Sequence, residues 1–151
     1  MSTGKIWDKI LSSGEEIKFE FSLGDRYVNV AKYALIILGI PLLFLYGLGI
    51  IFIIGGFVWG WYLKRANNYA FTNKRVLVLK GWLSTNLTSV DYDKITDVKV
   101  EQSFFNRIVF KTGRLIIDTA GTGFQEIVLI NIENPYEIKK KLDSVRENLM
   151  K

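Results

Sequence analysis

Residues 34–63 read ALIILGIPLLFLYGLGIIFIIGGFVWGWYL, and none of these 30 positions carries a charged side chain. As one helix the run would extend about 45 Å, against a hydrocarbon core of about 30 Å. That mismatch exceeds what ordinary tilt absorbs. Two helices of roughly 15–17 residues would each extend about 25 Å, near the lower limit for a membrane span. The break belongs at Tyr46-Gly47-Leu48-Gly49, because two glycines spaced by one residue favour a tight reversal. A helical hairpin buried in a soluble core is the alternative. A chain of 151 residues, however, has little surface to wrap around so uniformly apolar a segment.

The run starts at Ala34, after a charged segment, and is far longer than the apolar part of a signal peptide. Arg26 and Lys32 precede it, Lys64 and Arg65 follow it, and the Tyr46–Gly49 reversal is uncharged. This Lys/Arg bias predicts two spans of a cell membrane with both termini on the cytoplasmic side. Tyr33, Trp59, Trp61, Tyr62 and, farther on, Trp82 are the expected interface anchors. Gly39-Ile40-Pro41 should bend or weaken the first helix. Gly56 and Gly60 are spaced for close helix packing, against either the first helix or a neighbouring subunit.

Outside the hairpin the chain contains no His and no Cys. That excludes disulfides, thiolate or imidazole metal ligands, Cys or His nucleophiles and a Ser-His-Asp triad. Residues 1–33 are neutral overall, with five basic and five acidic residues. Residues 64–151 carry 15 basic and 10 acidic residues, and so hold the whole net charge of +5. The division that follows is an N-terminal segment at 1–14, a first strand within 15–27, the transmembrane hairpin at 28–63, and a domain at 64–151. In the first segment Ile6, Trp7, Ile10 and Leu11 share one face of a candidate short amphipathic helix, and three roles stand open for it: lying at the membrane interface with Trp7 among the headgroups, packing on the barrel, or fraying.

Within these parts the pattern changes from helical to alternating. Ile17–Ser22 alternates apolar and polar residues, as a half-buried strand does. Tyr69–Thr72 and Arg75–Lys80 flank an Asn73-Lys74 turn. Thr85–Tyr92 is polar enough for an edge strand, and Thr96–Ser103 alternates around Val98 and Val100. Phe104–Phe110 reads as a further, aromatic and irregular strand segment. Arg114–Ala120 and Glu126–Ile132 flank the loop Gly121-Thr122-Gly123. Asn134, Pro135 and Glu137 then form a helix start signal, and Ile138, Leu142, Val145 and Leu149 make one apolar stripe. Lys139, Lys140 and Lys141 read chiefly as a solvated face. The predicted fold is therefore α+β: a transmembrane helical hairpin plus a small antiparallel barrel or sandwich of about seven strands, capped by a C-terminal helix. If Ile17–Ser22 pairs with later strands, both must lie on one side of the membrane, and the number of spans must be even.

Several strings sharpen this outline. Tyr69-Ala70-Phe71-Thr72-Asn73-Lys74-Arg75-Val76, Gly81, Asp91–Thr96 (DYDKIT), Val98-Lys99-Val100-Glu101-Gln102-Ser103, Gly113 and Ile117-Asp118-Thr119-Ala120-Gly121 follow one another after the paired apolar segment. In that order they resemble the bacterial pleckstrin-homology-like family of membrane-flanked domains, over nearly all of 28–142. The departure lies at Phe104–Lys111, where that family often has a Gly-rich, Leu-rich loop. The resemblance implies a pleckstrin-homology (PH) fold of seven strands closed by a helix and a membrane location; such folds host lipid headgroup, peptide and protein binding alike, so function must come from the site, and relatives of this type also assemble into rings. In eukaryotic members the loop between the first two strands carries a basic phosphoinositide cluster. Here that connection would be the hairpin itself, so no such cluster carries over.

The remaining motifs are weak. Gly121-x-Gly123 lacks the third glycine of a nucleotide loop. Asp91, Asp93 and Asp97 are oxygen donors, but Ile95 and Thr96 stand where a calcium loop needs other residues. The basic residues are too spread for a nucleic-acid surface. The sequence thus predicts no catalytic residue, no metal site and no cofactor. It predicts a non-enzymatic binding or scaffold module whose partners are membrane lipids and further copies of itself, with no nucleic acid and a protein partner unknown. The alternative readings are an anionic lipid headgroup-binding domain, with Lys64, Arg65, Lys74 and Arg75 as the headgroup cations, and an accessory subunit of a membrane enzyme or transporter.

Overall fold

The computed structural model describes residues 4–43, 47–82, 84–120 and 126–149. After a single helical turn, α1 (Gly4–Trp7), the chain forms β1 (Ile17–Ser22). It then leaves as helix α2 (Asp25–Leu43) and returns as helix α3 (Gly49–Ala66). β2 (Asn67–Thr72), β3 (Arg75–Lys80) and β4 (Asn86–Asp91) complete an antiparallel sheet of order β1-β2-β3-β4. β5 (Ile95–Glu101), β6 (Thr112–Thr119) and β7 (Ile127–Glu133) form a second antiparallel sheet, and helix α4 (Pro135–Leu149) ends the chain. The pairing of Phe21 with Tyr69 and Ser22 with Asn68 shows that both ends of the helical hairpin return to adjacent strands. The two sheets touch through a bridge between Leu23 and Ile132.

The core lies between the sheets. Tyr69, Phe71, Val76 and Val78 from the first meet Val98, Leu115, Ile117, Leu129 and Ile132 from the second. Ile138 and Leu142 of α4 close this core, Val145 packs at its margin, and Leu149 stays exposed. The α4 stripe therefore seals the sheets over its first half. β3 has a second buried face. Leu77 and Leu79 point outward with Ala70, where Trp7 covers them with its whole side chain buried. The Trp7 indole N–H donates to Glu20 Oε1 at 2.9 Å. The unbroken Val76-Leu77-Val78-Leu79 run, in place of an alternation, is the mark of a strand buried on both sides.

α2 and α3 pack as an antiparallel pair. Pro41 falls in the last turn of α2, near its end at Leu43. Gly47, at φ 72°, and Leu48 form the described part of the reversal, while Tyr46 lies outside the described residues, as do Gly121-Thr122-Gly123. The last four carbonyls of a helix have no partner within it. In α3 the sheet supplies one for each: Leu63 O accepts from Asn67 Nδ2 at 3.2 Å, Lys64 O from the Ser22 hydroxyl at 3.2 Å, Arg65 O from Asn68 Nδ2 at 2.9 Å, and Ala66 O from the Gly81 N–H at 2.7 Å. The hairpin is thus hydrogen-bonded into the first sheet.

One expected strand is absent. Phe104–Phe110 is a helical bend, with Asn106–Phe110 forming one wide π turn that ends at Lys111 with φ 52°. Among the described residues no strand pairs with it, and its alternate residues do not divide between core and solvent. Phe104, Phe105, Ile108 and Val109 are all exposed.

Candidate functional site

Of the residues singled out for the membrane interface, Trp61, Trp82, Lys64 and Arg65 come together where the hairpin meets the sheets. Trp61 and Trp82 meet edge to face, with ring centroids 4.9 Å apart. The Arg65 guanidinium lies 4.5 Å from the Trp61 ring centre, and Trp59 packs beside Tyr62 at 5.9 Å. On α2, Lys32 Nζ stands 4.5 Å from the centre of the Tyr33 ring. All five aromatic anchors remain exposed. Lys64 pairs with Asp25 across the base of α2 and the end of α3.

Beside this cluster a cleft of about 1050 Å³ opens between β1, the end of α3, the segment after β3, and the start of α4. Phe19, Phe21, Leu79, Ile138, Trp61 and Trp82 give it apolar walls. Lys64, Arg65 and Lys141 bring cations, and Glu20, Asp25, Glu133 and Glu137 bring carboxylates. Lys141, which the sequence placed on a solvated face, lies with Nζ 3.6 Å from the centre of the Phe19 ring. Its spacing of three from Ile138 was the available signal, because residues three apart share a helix face. Apolar walls with charged rims suit an amphiphilic ligand held by contact and charge. Among the described residues no group of three or more His, Cys, Asp or Glu could hold a metal ion.

Lys74 and Arg75 are placed elsewhere, away from Lys64 and Arg65. They sit in the β2–β3 turn, at the far end of strands whose other end adjoins α3. Five residues of strand separate the two ends by about 17 Å. Arg75 is also engaged: its Nε and Nη2 each donate to the buried Glu15 carboxylate at 3.0 Å. Glu15 further accepts from the Ser12 N–H at 2.9 Å and the Thr72 hydroxyl at 2.8 Å. Burial alone would raise this carboxyl, but the bonds from Arg75, Ser12 and Thr72 outweigh it and hold the pKa at about 2. Lys74 Nζ donates to Ser13 O at 2.9 Å. These two cations tie the N-terminal segment to the sheet. Nearby, Tyr92 donates to Thr72 O at 2.8 Å, and burial together with the Glu15 charge raises its pKa.

Gly56 and Gly60 face α2 of the same chain. A Cβ on Gly56 would stand 2.8 Å from Lys32 O, and one on Gly60 would stand 3.2 Å from the Lys32 side chain. Of the aspartates weighed as cation ligands, Asp91 pairs with Lys94 at 3.5 Å and Asp97 Oδ1 accepts from the Val98 N–H at 2.7 Å.

Two antiparallel sheets of four and three strands, sealed by a C-terminal helix, define a pleckstrin-homology-like domain, a class built for binding. The chain belongs to the family described as the bacterial PH domain, whose profile matches residues 22–146. Solved structures agree on the fold. A protein with a pleckstrin-homology domain from Shewanella loihica PV-4 superposes with a TM-score of 0.53 at 13% identity, covering 95% of this chain and 92% of that one. A pleckstrin-homology domain from Shewanella amazonensis SB2B gives 0.53 at 14% identity, covering 94% and 86%. No curated protein matches the sequence.

Proposed function

We propose that this protein is a non-enzymatic binding or scaffold module, held on the cytoplasmic face of the cell membrane by the α2–α3 hairpin. The observation that carries the reading is the hairpin's outer surface. Ile37 is 65% exposed and Ile51 68%, and Leu38, Ile40, Ile50, Ile54, Phe57 and Val58 are exposed with them. Contiguous apolar surface of this extent is not left in water by soluble monomers. By length and composition, α2 alone among the described helices is long and apolar enough to cross a membrane. The 18 residues of α3 extend about 27 Å and end in Lys64 and Arg65, where a cytoplasmic end carries its cations. The chain has no native Cys, so Leu48→Cys is a clean topology probe. A reagent confined to the outside of the cell should label it, and labelling only from the cytoplasmic side would refute the spanning hairpin.

A second reading is supported by the cleft. Lys64 and Arg65 stand on its rim beside Trp61 and Trp82. At the level of the headgroups, each cation would strengthen contact with anionic lipid by about 1 kcal/mol, or roughly five-fold. Full-length protein released from mixed neutral and anionic membranes should keep anionic lipid in native mass spectra. Lys64→Gln with Arg65→Gln should lose that preference, and an unchanged preference in the double variant would refute the assignment. For self-assembly, Gly56 and Gly60 are turned to α2, and the polar β4, at one end of the first sheet, offers a strand edge instead. An unpaired strand edge can template pairing with a second copy.

A further inference from the structure

We infer that the bend at Phe104–Phe110 is a second membrane contact, an apolar wedge that enters the headgroup–acyl boundary of the leaflet through which the hairpin leaves. The inference rests on the membrane-anchored reading and adds a surface to it. Phe104 is 76% exposed, Phe105 68% and Ile108 58%, and Val109 is exposed beside them. Four neighbouring large apolar side chains on one short bend have no folding reason to face water. Their position is set by the Phe110 ring, which meets Tyr27 of α2 edge to face with centroids 5.6 Å apart.

Depth along the hairpin follows from the register of its two helices. Asp25 is level with Lys64, through their ion pair, and Lys32 lies between Gly56, which its carbonyl approaches, and Gly60, which its side chain approaches. Tyr27 lies about 3 Å beyond Asp25 in the direction of the apolar run, at the 1.5 Å rise of a helix. The wedge is therefore docked at the height of Lys64, Arg65 and the Trp61–Tyr62 belt, which is the expected interface. The nearby charges match a lipid surface. Arg107 lies within the bend, Lys111 ends it, and Arg26 precedes Tyr27; none of the three forms an ion pair among the described residues. Cations flanking an apolar cluster are the pattern of an interfacial anchor, whose apolar side sinks about 5–10 Å into the headgroup region. A second copy of the chain would have to meet this cluster beside exposed lipid-facing helices, whereas the bilayer already lies against it.

The test uses full-length protein in nanodiscs of phosphatidylcholine and phosphatidylglycerol. Environment-sensitive fluorophores are placed singly at Ile108→Cys, Ile54→Cys and Ser89→Cys, all exposed positions. Quenching is read with aqueous iodide and with lipids bearing a nitroxide near the headgroup. The expected result is that the Ile108 probe is quenched by the lipid nitroxide and several-fold less by iodide than the Ser89 probe. Iodide quenching at position 108 equal to that at 89, with position 54 protected, would overturn the wedge and leave the hairpin standing. Iodide access at position 54 equal to that at 89 would overturn the anchored reading itself. Protection of position 108 from both quenchers would assign the surface to protein contact and overturn the lipid assignment. As a second measurement, Phe104→Ser with Phe105→Ser should raise iodide access at position 108, and no change would count against the wedge.

Discussion

Arg75→Ala should destabilise the sheet domain by about 3–5 kcal/mol, because it leaves the Glu15 carboxylate buried without its cation. The Glu15 side chain is fully buried, and both guanidinium bonds to it are 3.0 Å long. Glu15→Gln should cost less, about 1–3 kcal/mol, because Arg75 keeps partial access to water and can solvate its freed charge. The carboxyl's pH dependence has a definite sign. Its folded pKa, about 2, lies below the ordinary value of 4.5, so its contribution is complete above pH 4.5 and is lost as pH falls towards 2. Urea unfolding of the full chain in mild detergent at pH 7 and pH 3 would measure both effects. Wild type should weaken between the two pH values by more than Glu15→Gln does. An Arg75→Ala change under 1 kcal/mol would show that the pair does not hold the N-terminal segment in place.

Gly56→Leu should force α2 and α3 apart. A Cβ there would stand 2.8 Å from Lys32 O, 3.0 Å from Ile36 Cγ1 and 3.2 Å from Leu35 Cβ. The first obstacle is backbone, which cannot rotate away. The helices must then move towards the 8–10 Å separation usual for larger side chains, with an overpacking penalty at or above the usual 1–3 kcal/mol. Gly55→Leu is the matched control, because a Cβ on Gly55 meets nothing within 4 Å. Spin labels at the exposed positions Ile37 and Ile54 would report the distance between the helices in nanodiscs. The Gly56 variant should lengthen and broaden that distance while the Gly55 variant leaves it unchanged. Equal behaviour of the two would mean that the close approach at Gly56 is not what sets the helix pair.

Local pattern made much of this fold legible. Arg75–Lys80 was readable to both ends because a turn and a glycine bound it. The α4 start was readable because Asn134-Pro135 interrupts the strand pattern and starts a helical one. The uncharged run with its Gly-x-Gly break was readable as two helices because apolar length and turn chemistry are properties of contiguous residues. Phe104–Phe110 misled for the same reason: aromatic residues suit strands, and the lack of a partner strand is not a local property.

What the tertiary structure alone decided were the partners of groups whose type was already evident. Gly56 and Gly60 announce a close helix contact, but only the antiparallel return of α3 along α2 shows that Lys32 and Ile36 occupy it. Lys74 and Arg75 announce charge, but only the distance from α3 and the fold-back of residues 10–15 turn them from headgroup candidates into clamps on Glu15, Ser12 and Ser13. Trp7 left three roles open until the outer face of β3 claimed it. Residue type and spacing determine which interactions a segment can make. Which of them form depends on contacts between positions as distant in the chain as Leu23 and Ile132, or Phe19 and Lys141, and those exist only once the sheets have closed.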